Sequence, residues 1–369
     1  MYEEYKLLDD AAIPTPALVY YKDIISANTR RIITVAGSPA RLWPHVKTHK
    51  MKALVRMQMD YGICRFKCAT IAEAEMCAAC GAPHVFIAYP LVGPNIARFI
   101  ALRSAFPRTA FYAAGDDLSQ LTALGTASSE TGAPVNLLID VNMGMDRTGV
   151  PLAELASFYA SCAKLNGVNL VGLHCYDGHH HDLDARVRCE RVDAAAAKLR
   201  EAVASFPFDA PRCDVIIAGG TPSFPCHAKY DNIYLSPGTA FVHDYGYMKN
   251  VPDLECIAGA AVITRVVSHP AHGQFTLDLG SKGISTDTPE RGALISVANS
   301  TAVAQSEEHW VWRMAKGHEH ERPAIGSVQY VLPCHICPTN ALYDTALVVQ
   351  RGVVVDRWEI TARVRKISY

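Results

Sequence analysis

The chain has 369 residues, of which 50% are hydrophobic and 19% are charged, so its composition is that of a globular protein and excludes a disordered one. Because this length exceeds the usual limit of a single core, we expect a large domain and a smaller one. The 35 basic residues almost balance the 36 acidic residues and form no basic stripe, which argues against a nucleic-acid partner.

The first segment, MYEEYKLLDD, is acidic and lacks the basic start and the apolar run of a secretory signal. No apolar stretch reaches membrane-spanning length. The 12 cysteines are scattered through the chain, and we expect most of them to be reduced and buried. These features predict a cytoplasmic protein without a membrane span.

Short apolar runs alternate with helical patterns from about residue 15 to residue 250. Alternating strands and helices predict βα units around a parallel sheet. Seven or eight such units without a GxGxxG motif favour a closed (β/α)8 barrel of the TIM type over an open sheet. We assign the barrel to residues 12–250. After IPTPALVYY, the predicted strands are RLWPHVK, GICRFKCAT, PHVFIAYP, VNLLIDVN, NLVGLHCY, DVIIAGG and NIYLSPG.

After residue 250 long β-branched runs such as AGAAVITRVVSH and GSVQYVLP replace this alternation, with few helical patterns between them. Such runs are typical of an antiparallel β domain. We assign residues 251–369 to this second domain, with residues 1–11 as a candidate addition to it.

Lys47 lies at the end of the second predicted strand, within RLWPHVKTHK. The carboxyl ends of barrel strands face the active site. A lysine in an otherwise apolar strand is costly to bury unless its amine is neutral or covalently bonded, as in a Schiff base. The alternative is a strand-end lysine whose amine reaches solvent, and this segment alone leaves both interpretations open.

The segment LLIDVNMGMDRTGV is a predicted strand that runs into a turn, with Asp140, Asp146 and Arg147 near its end. An arginine at this place can donate hydrogen bonds to an anionic oxygen, such as the phenolate of pyridoxal. An ordinary salt-bridged loop would show the same residues.

The next strand ends at Tyr176 and is followed by His179, His180 and His181. Three adjacent imidazoles suggest a metal site, but neighbours on an extended chain point in alternate directions and cannot all reach one ion. We therefore expect one or two of them to act as a ligand or a general base.

Gly219, Gly220 and Thr221 follow the strand DVIIAGG, and NIYLSPGT ends the next strand. Backbone amides and a hydroxyl after the seventh and eighth barrel strands form a standard phosphate site. A plain βα turn is the alternative, because Gly-Gly is common in turns.

His335 and Cys337, in VLPCHICPTNALYD, are two residues apart and would share one face of an extended strand. Imidazole and thiolate together favour zinc, with manganese or magnesium as alternatives. Cys334 with Cys337, and Cys77 with Cys80, form two CxxC pairs that could instead build a zinc ribbon.

Together these segments resemble the D-threonine aldolase and D-serine dehydratase family, which shares the pyridoxal-phosphate barrel of alanine racemase. The resemblance covers nearly the whole chain, although Tyr234 stands where many members have Glu, and HHH replaces the usual GHSY or Gln-His. The motifs that carry it, in the family's order, are PHVKTHK, CATIAEAE, DVNMGMDRTGV, GLHCYDG, GGTPS, SPGT, DLGSKGIS, SEEH and HICPTNALYD.

The resemblance implies a role for each candidate residue. Lys47 would be the Schiff-base lysine, Arg147 would contact the phenolic oxygen, and Tyr176 would lie beside the cofactor. Gly219, Gly220 and Thr221 would hold its phosphate, and His335 and Cys337 would bind the metal.

The resemblance also implies a homodimeric lyase that depends on pyridoxal phosphate and a divalent metal and acts on D-β-hydroxy amino acids. The thiolate of HxC favours dehydration of D-serine or a related substrate to a 2-oxo acid and ammonia. Retro-aldol cleavage to glycine and an aldehyde, with His179 or His181 as base, is the alternative. A racemase, a non-catalytic pyridoxal-phosphate carrier and a structural barrel clasped by zinc are further alternatives.

Overall fold

The computed structural model describes residues 2–369, which form two compact units. The barrel unit comprises Ile32–Gly238 and Thr361–Tyr369. The β unit comprises the chain up to Arg31 together with Thr239–Ile360. No helix in the described part of the chain is both long enough and apolar enough to cross a membrane.

The strands are, in chain order, β1 Ala17–Tyr21, β2 Arg65–Cys68, β3 His84–Pro90, β4 Ala110–Gly115, β5 Val135–Asn142, β6 Val150–Pro151, β7 Val168–Cys175, β8 Val215–Ala218, β9 Tyr234–Leu235, β10 Ala260–Ser268, β11 Gln274–Leu277, β12 Gly292–Leu294, β13 Ser300–Gln305, β14 Trp310–Met314, β15 Val328–Pro333, β16 Thr345–Gln350 and β17 Val353–Glu359. The helices are α1 Tyr2–Tyr5, α2 Lys22–Ala36, α3 Lys52–Asp60, α4 Ile71–Ala79, α5 Pro94–Ala105, α6 Leu118–Ser129, α7 Leu155–Cys162, α8 Ala185–Ala204, α9 Phe224–His227, α10 Tyr245–Asn250 and α11 Ile336–Asn340.

The barrel unit is built on parallel strands in the order β2-β3-β4-β5-β7-β8-β9, and the short β6 pairs with β5 at the side. The extended segment 42–45 closes the ring, because Leu42 pairs with Leu235 of β9 and His45 pairs with Lys67 of β2. Counting this segment as the first strand makes β8 the seventh and β9 the eighth. The predicted closed (β/α)8 barrel is confirmed.

Side chains fill the barrel interior. Trp43 is 1% exposed and packs edge-on against Phe86, Tyr112 and Tyr234, with ring centroids 6.2, 5.2 and 6.3 Å away. Buried aromatic pairs of this geometry stabilise by about 0.5–1.5 kcal/mol each beyond their buried area. The packed interior leaves chemistry to the residues at the strand ends.

In the β unit, the sheet path runs β13-β14-β11-β10-β1-β16-β17, and β15 joins both β10 and β12. β1 is antiparallel to β10 and parallel to β16. The predicted barrel boundary at residue 12 therefore differs from the structure, because the apolar run ALVYY completes this sheet rather than the barrel. The boundary at residue 250 likewise moves to Gly238, and the last nine residues join the barrel unit.

Candidate active site

Lys47 lies in a single 3₁₀ turn, Val46–Thr48, directly after the segment that closes the ring. Its backbone amide donates to Nδ1 of His45 at 3.4 Å, and its side chain is exposed. Its ammonium forms no ion pair or hydrogen bond within residues 2–369. Lys50 differs, because its Nζ is hydrogen bonded to the buried carboxylate of Glu73.

Glu73 is held in place by the start of α4. Its backbone amide donates to Oγ1 of Thr70 at 3.1 Å, and its Oε2 accepts from the Ala69 amide at 2.7 Å. This is close to a capping box, in which a Thr and a Glu three residues later satisfy the first amides of a helix. The start of α4 therefore positions Glu73, which in turn binds Lys50. The amine of Lys47 has no such partner and is the uncommitted one at this strand end.

Lys67 is a site residue that the sequence analysis missed. It is 2% exposed on β2, and its Nζ lies 5.3 Å from the ring centroid of Tyr176. Burial, then the charge of Lys47, lowers its pKa to about 7, although Asp140 and Asp177 oppose this. A lysine between Phe66 and Cys68 in the strand RFKC was a signal that could have revealed it.

Asp140 and His174 form a buried pair at the ends of β5 and β7, with His174 Nδ1 2.7 Å from Asp140 Oδ1. Burial raises the pKa of Asp140, but the hydrogen bond from His174 outweighs it and the pKa is lowered. Burial lowers the pKa of His174. We therefore describe the pair as a neutral imidazole that donates its Nδ1 hydrogen to a carboxylate.

Arg147 and Tyr176 come together at the same end of the barrel. The guanidinium carbon of Arg147 lies 5.1 Å from the ring centroid of Tyr176, within the range of a cation–π contact. Gly178 makes room for the tyrosine, because a Cβ at that position would lie 2.1 Å from the Tyr176 hydroxyl. Arg147 also interacts electrostatically with Asp140 and with Lys67.

Gly219 and Gly220 form a tight turn after β8, the seventh strand of the ring. Gly219 has φ +82°, and a Cβ there would lie 2.9 Å from Phe224 Cα; one on Gly220 would lie 3.0 Å from Tyr176 Cε2. The Gly220 amide donates to Ser223 Oγ at 2.9 Å. The buried Thr221 completes the segment.

A buried carboxylate secures the segment that follows this turn. Asp177 accepts from Ser223 Oγ at 2.6 Å and from His227 Nε2 at 2.7 Å. Burial raises the pKa of Asp177, but the hydrogen bonds from His227 and Ser223 lower it overall. The turn is therefore fixed from both strands, β7 and β8.

These residues fit an anionic aromatic cofactor such as pyridoxal phosphate. Lys47, Lys67 and Arg147 gather at one end of the barrel, and none of them forms an ion pair with a carboxylate in the described chain. The glycines at 219 and 220 let the turn pack closely against Phe224 and Tyr176, where a Cβ would clash, and so place its backbone beside the Tyr176 ring. The predicted residues Lys47, Arg147, Tyr176, Gly219, Gly220 and Thr221 remain candidates for binding it.

The three histidines do not all come together, although the ring centroids of His179 and His180 lie 4.0 Å apart. His179 lies against the Gly144 turn, His180 interacts with Asp177 and Asp182, and the exposed His181 has its Nδ1 2.6 Å from the carbonyl of His179. Nδ1 of His179 is buried without a hydrogen-bond partner within residues 2–369.

His335 and Cys337 lie at the end of β15 in the β unit, but not on an extended strand as predicted. β15 ends at Pro333 and the chain turns at once into α11, because buried Asp244 accepts from the Ile336 amide at 3.1 Å. The two side chains are nevertheless hydrogen bonded to each other. The turn brings them together in a way that strand periodicity did not foresee.

The donor set of this pair fits a soft divalent ion. Burial lowers the pKa of His335, but the hydrogen bond and charge of Cys337, followed by those of Asp287, raise it to about 9. No group of three or more His, Cys, Asp or Glu side chains in the described chain is arranged to hold a metal ion. Two protein ligands would leave coordination positions open. Because a zinc ribbon needs four ligands, the absence of a group of three or more in the described chain also removes that alternative.

The cysteines largely agree with the expectation of reduced, buried thiols. Cys189 and Cys226 form a disulfide, and ten others are free. Cys77 packs against Cys68 inside the barrel unit, with 3.9 Å between the sulfurs.

Comparison with known proteins gives two family matches along the chain. Residues 22–245 match the alanine racemase N-terminal domain, and residues 259–349 match a putative serine dehydratase domain. A D-threonine aldolase from Arthrobacter sp is 31% identical over 366 residues, which cover 96% of this chain and 93% of the relative. A 3-hydroxy-D-aspartate aldolase from Paracoccus denitrificans is 24% identical, covering 96% of this chain and 94% of the relative.

The fold agrees with these matches. The crystal structure of a D-threonine aldolase from Filomicrobium marinum superposes with a TM-score of 0.88 at 27% identity, covering 96% of each chain. A D-threo-3-hydroxyaspartate dehydratase from Delftia sp. HT23 has the same fold, with a TM-score of 0.81 at 21% identity, covering 98% of this chain and 100% of that one.

Proposed function

Since the chain belongs to the alanine racemase N-terminal domain family, in its D-threonine aldolase and D-serine dehydratase branch, and is a pyridoxal-phosphate-dependent lyase, we propose that it cleaves D-β-hydroxy amino acids between Cα and Cβ. The products are glycine and an aldehyde. The observation that carries the proposal is the uncommitted ammonium of Lys47, at the same end of the barrel as two further cations without carboxylate partners.

Bound pyridoxal phosphate supplies an electron sink that makes bonds at Cα of an amino acid labile. Lys47 is proposed to hold the cofactor covalently, because its amine is the one at this strand end without a partner. Arg147 and Lys67 supply positive charge, and the turn of Gly219, Gly220 and Thr221 follows the seventh strand of the ring, where barrels commonly bind phosphate. Tyr176 offers an aromatic surface that both cations already contact.

The choice between cleavage and dehydration rests on two opposing observations. The relative that is 31% identical over nearly the whole chain is a D-threonine aldolase, which favours cleavage. The thiolate of Cys337 favours zinc and, by the family pattern, dehydration of D-serine to a 2-oxo acid and ammonia. We give more weight to the similarity over the whole chain, and dehydration is the second candidate.

Cleavage requires a base to take the proton of the β-hydroxyl group. Of the two predicted candidates, His179 is favoured because its Nδ1 has no hydrogen-bond partner in the described chain. His181 has its Nδ1 occupied by the His179 carbonyl, so it suits a positioning role on this loop.

His335 and Cys337 are proposed to bind a divalent metal, zinc by preference and manganese or magnesium as alternatives. Such an ion, when bound, polarises a hydroxyl oxygen as a Lewis acid. The two protein side chains contribute an imidazole nitrogen and a thiolate, and they leave positions open for other ligands. A homodimer is proposed from the family resemblance.

A panel of D-β-hydroxy amino acids, with glycine, aldehyde and 2-oxo acid measured in parallel, tests this function. The proposal predicts equal amounts of glycine and aldehyde from D-threonine or a related substrate. Production of a 2-oxo acid and ammonia without glycine would support the second candidate. Turnover of none of the D-isomers would refute both.

A further inference from the structure

The imidazole of His335 is tied on one side to a carboxylate that no motif identified. Nδ1 of His335 lies 2.5 Å from Oδ2 of Asp287. A carboxylate accepts and does not donate, so the shared hydrogen is on Nδ1. In the neutral ring the other nitrogen, Nε2, then carries the lone pair that can bind a metal.

Asp287 is itself held by a short network within the β unit. The Ser285 hydroxyl donates to Asp287 Oδ1, and the Ser285 amide donates to Thr339 Oγ1 at 3.1 Å. Thr339 Oγ1 in turn donates to the carbonyl of His335 at 2.8 Å. The loop that carries Asp287 is thus connected both to the ring and to the backbone of His335.

Cys337 is held on the other side of the pair. Its sulfur lies 3.3 Å from Oγ1 of Thr239, and it is hydrogen bonded to His335.

We propose that Asp287 is a positioning residue for the metal, which fixes the tautomer and the orientation of His335 so that Nε2 faces the ion. A metal-ligating histidine usually donates its other N–H to such a partner, which also raises the basicity of the ligand. The inference rests on the proposed metal binding by His335 and Cys337. Asp287 is not a third ligand, because its Oδ2 accepts the hydrogen on Nδ1 of His335, the ring nitrogen that does not bind the metal. The described chain also has no metal group of three or more residues.

Zinc titration of the metal-free full-length protein, followed by calorimetry or by competition with a chromogenic chelator, tests the proposal. Asp287→Ala should weaken zinc binding by about 10- to 100-fold, the usual effect of losing such a partner. Asp287→Asn keeps an acceptor oxygen but loses the charge, and should be intermediate.

Glu290→Ala is the matched control, because Glu290 lies three residues away on the same loop and pairs with Lys249 at 2.6 Å. It removes the same charge without touching His335, and it should bind zinc as the unaltered protein does. Nitrogen NMR of the His335 ring in the zinc-loaded protein, where the ligating ring is neutral, gives a second readout. Asp287→Ala should shift the ring away from the Nδ1–H form, which a general loss of packing would not do.

Each other result has a defined meaning. If zinc binds tightly and depends on His335 and Cys337, but Asp287→Ala binds it within twofold of the unaltered protein, the positioning role is wrong. If Asp287→Ala abolishes binding as completely as His335→Ala, Asp287 is a ligand and the inference is also overturned. If the unaltered protein binds no zinc, manganese or magnesium, the proposed metal site itself fails.

Discussion

Lys50 is ion paired with the buried carboxylate of Glu73 at the start of α4. The pair accounts for one of the two lysines in VKTHK and leaves the Lys47 amine for chemistry. The same contact predicts different consequences for the loss of each lysine.

Lys47→Ala should abolish both the visible absorbance of bound cofactor and all lyase activity, with little effect on folding, because its exposed side chain has no partner to lose. Lys50→Ala should keep the absorbance but lower the free energy of unfolding by roughly 3 kcal/mol, because it leaves a buried carboxylate unpaired. Absorbance spectra and urea unfolding of both variants check this. A Lys50→Ala protein that loses the absorbance while Lys47→Ala retains it would reverse the assignment.

Lys67→Met should stabilise the cofactor-free protein. The pKa of Lys67 is about 7 in the folded chain and 10.5 for a lysine exposed to water, so the unfolded chain binds the proton more tightly. The loss of folding stability that the buried Lys67 amine causes in the unaltered protein is therefore absent above about pH 10.5. It grows as the pH falls towards 7 and is constant below. At about 1.4 kcal/mol per pKa unit, the gain on substitution reaches roughly 5 kcal/mol.

Urea unfolding of the two cofactor-free proteins between pH 6 and pH 10 measures this difference. A stability gain that shrinks as the pH rises agrees with the buried cation. A stability gain that does not depend on pH would mean that the pKa of Lys67 is not lowered in the folded protein.

Metal removal should distinguish the candidate metal site from the candidate cofactor site. A chelator should remove lyase activity and leave the cofactor absorbance unchanged, because His335 and Cys337 belong to the β unit and the cofactor candidates to the barrel unit. Activity should return on adding zinc. Cys337→Asp replaces a soft donor with a hard one, so manganese or magnesium should reactivate it better than zinc does. Full activity after chelation on every substrate would remove the Lewis-acid role.

The protein should be a dimer at micromolar concentration. β17 is an edge strand of its sheet and exposes Val353, Val354 and Val355, and such an apolar edge is normally covered by another chain or protected. Light scattering after size exclusion gives the mass directly. A monomeric mass together with full activity would contradict the dimer.

The sequence predicted the barrel well because apolar runs ending in glycine or charge mark parallel strands. The prediction was wrong at β1, because ALVYY is as apolar as a barrel strand. Only its pairing with β10 and β16 shows that it belongs to the sheet of the β unit. It also missed β4, AFYAAG, whose small residues resemble the alanine-rich helices.

The site was predicted less completely than the fold. His335 and Cys337 were paired from periodicity, although a turn rather than a strand brings them together. Asp287 lies 48 residues from His335 along the chain, so no local pattern connects the two. Lys67 could have been found, because a lysine in a buried strand is itself a signal.

Borohydride reduction of the cofactor-loaded protein, followed by peptide mass spectrometry, tests the central claim most directly, because it fixes the cofactor on the lysine that binds it. We expect a pyridoxyl group on Lys47 and none on Lys50 or Lys67. A label on either of those two lysines, or a loaded protein with no labelled lysine, would contradict it.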